Sequence, residues 1–137
     1  MFMKKITAII GIASDGGYSV YCEDEMFAGM GDTLEAAKKN MEESMVFFRD
    51  ACKEEGYSYP EWLDGEYEIE YKFDPSSVLK HYAKIIPPAA LGRIAGINPK
   101  QMWNYTSGKS KPRKQQLAKI QEGLHKLAAE LSGITLL

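Results

Sequence analysis

Residues Gly96–Pro112 read GINPKQMWNYTSGKSKP and predict a short capped helix followed by a basic loop. Asn98 can accept a hydrogen bond from the first free backbone N–H groups, and Pro99 suits the first helical position. Gly108 suits the far end, where a left-handed residue is common. At about 100° per residue, three side chains fall on one side of this helix and form its predicted buried face. They are Met102, Tyr105 and Thr106.

The opposite side of the same helix is predicted to face solvent. It carries Lys100 and Asn104, with Gln101 and Trp103 on the flanks. Side-chain amides pair bidentately with adenine edges in the major groove of DNA, and cations in the following loop can reach phosphates. The predicted DNA-binding residues are therefore Lys100, Gln101, Asn104, Lys109, Lys111 and Arg113. The alternative interpretation leaves the two amides as ordinary solvated positions.

The formal net charge of −2 conceals a strong asymmetry between the two halves of the 137-residue chain. Residues 1–74 hold seven Lys and Arg against 17 Asp and Glu, a net charge of −10. Residues 75–137 hold ten Lys and Arg against two Asp and Glu, a net charge of +8. An acidic half joined to a basic half favours two domains with partners of opposite charge, rather than charges that serve solubility alone.

Composition and hydropathy limit the class of protein. Hydrophobic residues make up 45% of the chain and charged residues 26%, as in ordinary globular proteins. No apolar run approaches the ~20 residues of a membrane span, and the short apolar segment near the N-terminus lacks a signal-peptide cleavage site. Cys22 and Cys52 lack metal-ligand spacing and are predicted to be buried thiols in a reducing compartment. We therefore expect a cytoplasmic protein without a metal, a cofactor or a membrane partner.

The acidic half is predicted to form a small β-β-β-α-β domain, a sheet with one helix packed on it. Lys5–Ile12 and Tyr18–Glu23 read as a hairpin, because a turn signal separates them. Met26–Met30 is predicted to be a third strand. Glu66–Phe73 alternates acidic and apolar residues, which predicts a strand with one face in solvent.

The helix between the third and fourth strands is the clearest in the chain. Asp32 is predicted to cap it, with Glu35 three residues on as in a capping box, and Gly56 is predicted to end it. Apolar residues at three- and four-residue spacing predict one buried stripe: Leu34, Ala37, Met41, Met45, Phe48 and Cys52. The loop that follows carries an aromatic group that either closes the core or contacts a partner: Tyr57, Tyr59 and Trp62.

The basic half shows helical patterns only, and it begins at Asp74-Pro75, a predicted cap and first-turn proline. Ser76–Lys84 and Pro88–Ala95 are predicted to be helices that precede the Asn98 helix, and Arg113–Leu131 is predicted to follow it. The last helix has an apolar stripe in 3-4-3-4 spacing: Leu117, Ile120, Leu124, Leu127 and Leu131. This stripe is the inner face of a closing helix, a dimer seam, or both.

The segment Leu91–Pro112 resembles the helix-turn-helix domain of Cro/repressor-type DNA-binding proteins. Ala95 matches the small residue where the two helices touch, and Gly108-Lys109 matches the Gly-Lys pair after the recognition helix. Core positions of the family are matched by Ile97, Met102 and Tyr105. Thr106 departs from the family, where many members carry Glu. The resemblance covers roughly residues 76–131 and implies that a homodimer or higher oligomer binds a pseudo-palindromic operator.

The segment Phe27–Ala37, FAGMGDTLEAA, resembles the Gly-Asp-Thr-x-Glu-Glu-Ala segment of HicB-type antitoxins. In that family a β-β-β-α-β domain with a reduced ribonuclease H-like fold precedes a DNA-binding tail. Ala36 departs from the family, which usually has an acid there. The resemblance covers nearly the whole chain. It implies two partners, a small basic ribonuclease toxin that cleaves messenger RNA and the operator DNA of the protein's own operon.

The carboxylates of the acidic half are expected to bind rather than to catalyse. Ribonuclease H chemistry needs several acids around two divalent metals, one of them on the first strand, and Lys5–Ala13 carries none. Neither His81 nor His125 has an obvious nucleophile to activate. An acidic surface can instead occupy the phosphate site of a basic toxin. The predicted toxin-binding residues are Asp15, Glu23, Asp24 and Glu25, and a second acidic patch comprises Glu66, Glu68 and Glu70.

Together these observations predict an α+β protein of two domains, an antitoxin of a type II toxin–antitoxin pair. Residues 1–74 are predicted to neutralise a ribonuclease toxin by direct binding, and residues 75–137 to bind operator DNA and dimerise. One alternative is a Cro-type regulator whose first domain senses a small ligand. The other is a metal-dependent nuclease.

Overall fold

The computed structural model describes residues 3–137, which contain one four-stranded sheet, five α-helices and one 3-10 helix. The chain divides into two compact units. Unit 1 ends at Asp74, and unit 2 is Pro75–Leu137. The boundary falls where the charge of the chain changes sign. The protein therefore contains both α-helices and β-strands, and all of the described strands lie in unit 1.

The sheet of unit 1 consists of β1 (Lys4–Ile12), β2 (Tyr18–Cys22), β3 (Ala28–Gly31) and β4 (Tyr67–Phe73). The spatial order is β3-β2-β1-β4, with β1 antiparallel to β2 and parallel to β4. Parallel neighbours need a crossover connection, and the helix after β3 supplies it. The order β-β-β-α-β matches the prediction, although the third strand begins two residues later than predicted. Phe27 is buried just before it, and its carbonyl accepts from the Cys22 amide at 2.9 Å.

The helix α1 spans Leu34–Glu55 and is capped by Thr33. The Thr33 hydroxyl accepts from the Ala36 amide at 3.1 Å, so the predicted Asp32 cap and Glu35 capping box are wrong. Both residue types can cap, and the structure places the extended backbone at Thr33 (φ −124°, ψ 160°), one position later. Gly56 ends α1 in the left-handed conformation (φ 73°), as predicted.

One face of α1 packs on the sheet and forms the core of unit 1. Its buried residues are Ala37, Met41, Met45 and Cys52, with Leu34 and Phe48 partly buried beside them. The sheet contributes Ile6, Ala8, Ile10, Val20 and Cys22. Gly29 of β3 lets the helix approach directly, because a Cβ there would stand 2.7 Å from the Ala37 carbonyl oxygen. The predicted α1 stripe is confirmed.

The aromatic loop after α1 closes one edge of this core through a 3-10 helix at Glu61–Asp64. Trp62 packs edge-to-face on Phe27 and on Tyr67, with ring centroids 6.3 Å and 5.4 Å apart. Tyr59 is also packed against the core, whereas Tyr57 is exposed. Of the two alternatives for this loop, closing the core describes Tyr59 and Trp62.

Unit 2 consists of α2 (Pro75–Tyr82), α3 (Pro88–Ala95), α4 (Pro99–Ser107) and α5 (Lys114–Ser132). Its core is a cluster of six buried side chains: Leu79, Leu91, Ile97, Met102, Tyr105 and Ile120. The predicted bounds of α3 are confirmed, and those of α2 and α5 shift by one or two residues. Within residues 3–137, no helix combines the length and the apolar character needed to cross a bilayer.

The last helix uses only part of its apolar stripe inside unit 2. Ile120 is buried, Leu124 packs against the core, and Gly123 lies against α3, where an added Cβ would stand 3.2 Å from the Ala95 Cβ. Leu131 stays 58% exposed. Leu117, at the other end of the stripe, is 39% exposed. The inner-face alternative therefore describes Ile120 and Leu124, and the dimer seam stays a prediction.

Candidate nucleic-acid interface

A tight turn at Gly96-Ile97-Asn98 connects α3 to α4 and fixes where α4 begins. Gly96 adopts the left-handed conformation (φ 75°), which favours glycine, and the Ile97 amide donates to the Gly92 carbonyl at 2.8 Å. Asn98 then caps α4, because its Oδ1 accepts from the Lys100 amide at 2.8 Å. The predicted Asn98 cap is confirmed, and so is the left-handed Gly108 (φ 81°) after the last turn.

The small residue at the α3–α4 contact is Gly92. A Cβ on Gly92 would stand 2.7 Å from the Ile97 carbonyl oxygen and 2.8 Å from Met102 Cγ. Ala95, which the Cro/repressor resemblance matched to the small residue where these helices touch, packs against the core of unit 2 and also lies against Gly123 of α5. Gly92 therefore lets α4 approach α3, and Ala95 lies where α5 approaches α3.

The inward face of α4 is the predicted one. Met102, Tyr105 and Thr106 are all buried. The Thr106 hydroxyl donates to the Met102 carbonyl at 2.8 Å, and the Thr106 carbonyl accepts from the Ser76 hydroxyl at 3.0 Å. Thr106 therefore links α4 to the start of α2. Its hydroxyl and carbonyl groups both form hydrogen bonds, although the residue is buried. These contacts fix which side chains α4 turns outward.

The centre of the outward face differs from the prediction. Trp103, predicted to lie on a flank, is 63% exposed, whereas Gln101 and Asn104 are half-buried. The cause is the loop after α4, which folds back over one side of the helix. The Ser110 amide donates to the Asn104 carbonyl at 3.2 Å, and the Gln101 side-chain amide donates to the Ser110 hydroxyl at 3.4 Å.

The outward face of α4 is therefore formed by Lys100, Trp103 and Ser107, all exposed and spaced as one side of a helix. Trp103 is the exposed residue of this face that the predicted DNA-binding set left out. A helical projection places it near the edge of the face, and only the folded loop on the other side makes it the most prominent side chain. Its residue type was the available signal, because a large aromatic outside the core of a small domain commonly contacts a partner.

The loop that follows α4 supplies the cations. Lys109 and Lys111 are exposed, and Arg113 stands exposed at the N-cap position of α5 with Lys114 after it. None of the ion pairs found among residues 3–137 involves these four side chains. The cations adjoin the outward face of α4 in the chain, where a polyanion touching that face can reach them.

The structure separates the four predicted toxin-binding residues. Asp15 lies in the β1–β2 turn, where its carboxylate accepts from the Gly17 amide at 2.8 Å. Glu23, Asp24 and Glu25 lie in the β2–β3 turn, at the opposite end of β2. About 17 Å of strand separates the two turns, so they do not form one patch. Glu25 is also paired with Lys4 at 3.8 Å.

The remaining candidate metal ligands and nucleophiles are the His, Cys, Asp and Glu side chains. Among residues 3–137, no group of three or more His, Cys, Asp and Glu side chains is arranged to hold a metal ion. Both cysteines are free and buried, as predicted. Burial, and then the nearby Glu25 carboxylate, raises the pKa of the Cys22 thiol, which makes that thiol less reactive.

Comparison of the chain with protein-family models, curated proteins and solved structures finds no match.

Proposed function

We propose that the protein is a cytoplasmic antitoxin and autorepressor that acts by stoichiometric binding. Unit 2 binds operator DNA as a dimer, and unit 1 neutralises a small basic ribonuclease toxin. The observation that carries the proposal is the outward face of α4, formed by Lys100, Trp103 and Ser107, beside a loop whose cations form no ion pair within residues 3–137. This face belongs to a half with a net charge of +8 joined to one of −10.

In the proposed DNA complex, α3 and α4 act as a helix-turn-helix. The nine residues of α4 span about 14 Å, a length that suits the ~12 Å width of the major groove. Lys100 and Trp103 then meet base edges. Gln101 and Asn104 stand beside them at the side where the loop returns. Lys109, Lys111 and Arg113 meet the phosphates, which supply most of the sequence-independent affinity.

In the proposed toxin complex, unit 1 acts through its charge. Its one-helix sheet is consistent with the reduced ribonuclease H-like fold of HicB-type antitoxins, while β1 carries no carboxylate between Lys5 and Ile12 that could begin a two-metal site. A net charge of −10 repels nucleic acid and attracts a basic protein. The partner is therefore proposed to be a small protein that itself carries a positive RNA-binding site.

The DNA proposal is tested by titrating the full chain with the duplex upstream of its own coding sequence and with random duplex. Lys111→Ala should weaken binding to both, and should lower the slope of log K against log salt by roughly one unit for each phosphate that it no longer neutralises. Lys39→Ala, which removes an exposed cation of α1, is the matched control and should leave the slope unchanged. A Lys111→Ala slope equal to that of the wild type would contradict the proposal.

The toxin proposal is tested by co-expression with the product of the small open reading frame adjacent to the gene. We expect a stable complex and loss of the toxic phenotype. A neighbour that is neither toxic nor bound would favour the alternative of a Cro-type regulator that senses a small ligand. Magnesium- or manganese-dependent cleavage of an RNA–DNA hybrid by the purified chain would instead favour the nuclease.

A further inference from the structure

The sheet of unit 1 has one covered face and one open face. The covered face packs on α1 with the alternate side chains of β1 and β2: Ile6, Ala8, Ile10, Val20 and Cys22. The intervening side chains point the other way, since successive residues of a strand alternate between faces. Within the described part of unit 1, no helix covers that second surface, which we call the open face.

The strand register places a row of apolar side chains across the middle of the open face. Ile9 of β1 stands opposite Tyr21 of β2, and Tyr21 stands opposite Ala28 of β3. Met30, the next outward residue of β3, stands opposite Ser19 in the adjoining row and widens this apolar surface. Tyr21 is 50% exposed and Met30 73% exposed. We call these four residues the apolar row. An exposed apolar surface on a folded domain commonly marks a binding site.

One end of the open face is acidic, because the parallel pairing of β4 with β1 brings two distant acidic segments together. Glu70 of β4 stands opposite Thr7 of β1. On the other side of Thr7, the Glu23 amide donates to the Thr7 carbonyl at 2.9 Å, which continues the β2 pairing by one residue. Glu68 stands opposite Lys5 in the adjoining row. At about 4.8 Å between strands, Glu23 and Glu70 flank Thr7 closely. We call Glu23, Glu68 and Glu70 the acidic end.

We propose that the open face is the surface on which the basic protein partner docks, with the apolar row at the centre of the contact and the acidic end binding its Lys and Arg side chains. This inference rests on the proposed function of unit 1. It also differs from the sequence prediction, because Asp15 lies at the far end of β2 and takes no part. An apolar centre with charged groups at its margin is the usual composition of a protein interface.

Charge selects this occupant over the others. A second copy docked through its own unit 1 would bring another net charge of −10 against the first, and like charges disfavour that contact. The phosphates of DNA or RNA would meet the same repulsion. A basic protein gains attraction during its approach, and its cations can pair with Glu23, Glu68 and Glu70. The cations on the described open face are Lys5 and Lys72, and the Lys72 ammonium lies 3.9 Å from the Glu70 carboxylate in an exposed ion pair that a partner's cation can replace.

The experiment uses the full chain and the product of the adjacent open reading frame. Met30→Asp and Glu70→Lys alter the open face. Phe47→Asp and Glu43→Lys are matched controls on α1, where Phe47 is 75% exposed and faces away from the sheet. We expect the open-face variants to weaken the complex by about tenfold or more and the controls by less than about twofold. All four variants should keep the wild-type melting temperature and DNA affinity.

A second measurement does not depend on variants. Hydroxyl-radical oxidation of Met30 should fall when the partner binds, while oxidation of Phe47 stays unchanged. If the α1 variants weaken the complex, the open-face variants do not, and Phe47 is protected, the partner docks on the helix. That result would overturn the inference and leave the antitoxin function intact. Wild-type protein that forms no complex would overturn the proposed function itself. A partner-free dimer dissociated by Met30→Asp would assign the open face to a second copy.

Discussion

Gly92 and Met102 lie so close together that a Cβ added to Gly92 would stand 2.8 Å from Met102 Cγ. The same Cβ would stand 2.7 Å from the backbone oxygen of Ile97, which cannot move as a side chain can. The absence of a side chain at position 92 therefore sets how α3 and α4 pack. It also sets the direction in which Lys100 and Trp103 point, because α4 is a single rigid element.

Gly92→Ala should therefore destabilise unit 2 and weaken DNA binding together. Overpacking of a tight contact costs about 1–3 kcal/mol, which thermal unfolding of the wild type and the variant will measure. Gly133→Ala is the matched control, since Gly133 has a right-handed φ of −84° and an added Cβ would meet its nearest atom at 3.5 Å. Equal melting temperatures for Gly92→Ala and the wild type would contradict this account of the α3–α4 contact.

The parts of the site that were predictable from sequence depend on residues within one helical turn of each other. The Asn98 cap, the left-handed Gly108 and the buried trio of α4 follow from local geometry and periodicity. The choice of Thr33 over Asp32 as the cap of α1 does not, because both residue types can cap and the entry angle of the chain decides between them.

Features that depend on distant parts of the chain could not be predicted. The prominence of Trp103 results from the loop that folds back through Ser110 over the other side of α4. The meeting of Glu23 with Glu70 results from the parallel pairing of β1 and β4, which no single segment encodes. Periodicity gives the inward and outward faces of each element, but the neighbours of a face depend on the assembled fold.

Two leucines of α5 should separate folding from dimerisation. Leu124 packs against the core of unit 2, so Leu124→Asp should unfold that unit, at a cost of several kcal/mol. Leu131 is exposed, beside the exposed Ile134 and Leu136. Leu131→Asp should therefore keep the fold and dissociate a dimer held by this apolar end. Sedimentation velocity and melting curves distinguish the two effects.

The matched control for α5 is Ala129→Asp, which places the same charge on the opposite side of the helix from Leu131. It should change neither the sedimentation coefficient nor the melting temperature. If Leu131→Asp sediments like the wild type, the C-terminal end of α5 takes no part in dimerisation.

Asp64 should make the stability of unit 1 depend on pH. It accepts from the Lys53 ammonium at 2.8 Å and from the Tyr59 hydroxyl at 2.6 Å. The Lys53 hydrogen bond, and then the Tyr59 one, lowers the pKa of Asp64 below its ordinary value of 3.8. Because the pKa of Asp64 is lower in the folded state than in the unfolded state, the ionised carboxylate stabilises the fold above its ordinary pKa. This stabilisation is lost as the pH falls through the folded-state pKa.

The melting temperature of wild-type protein should therefore exceed that of Asp64→Asn at neutral pH, and the difference should shrink as the pH falls below about 4. Tyr59→Phe keeps the ring but removes one hydrogen-bond donor to Asp64. Its melting temperature at each pH should therefore lie between those of the wild type and Asp64→Asn. Because the group is exposed, added salt should reduce the difference. Parallel pH profiles for the wild type and Asp64→Asn would show that the contact does not stabilise the folded state.

Trp103 should contribute sequence preference to DNA binding through apolar contact. An exposed ring at the centre of the outward face of α4 can pack on the 5-methyl group of thymine, which projects into the major groove. Trp103→Ala should cost about 1–3 kcal/mol on the operator and less on random duplex, because non-specific affinity rests on phosphates.

Operator duplexes with deoxyuridine in place of one thymidine at a time will locate the contact. Where the replaced thymidine contacts Trp103, the wild type should lose affinity and Trp103→Ala should not. Phe47→Ala, which removes an exposed ring from unit 1, is the control and should lose affinity as the wild type does. If every deoxyuridine duplex binds the wild type like the unmodified operator, Trp103 does not read thymine methyl groups.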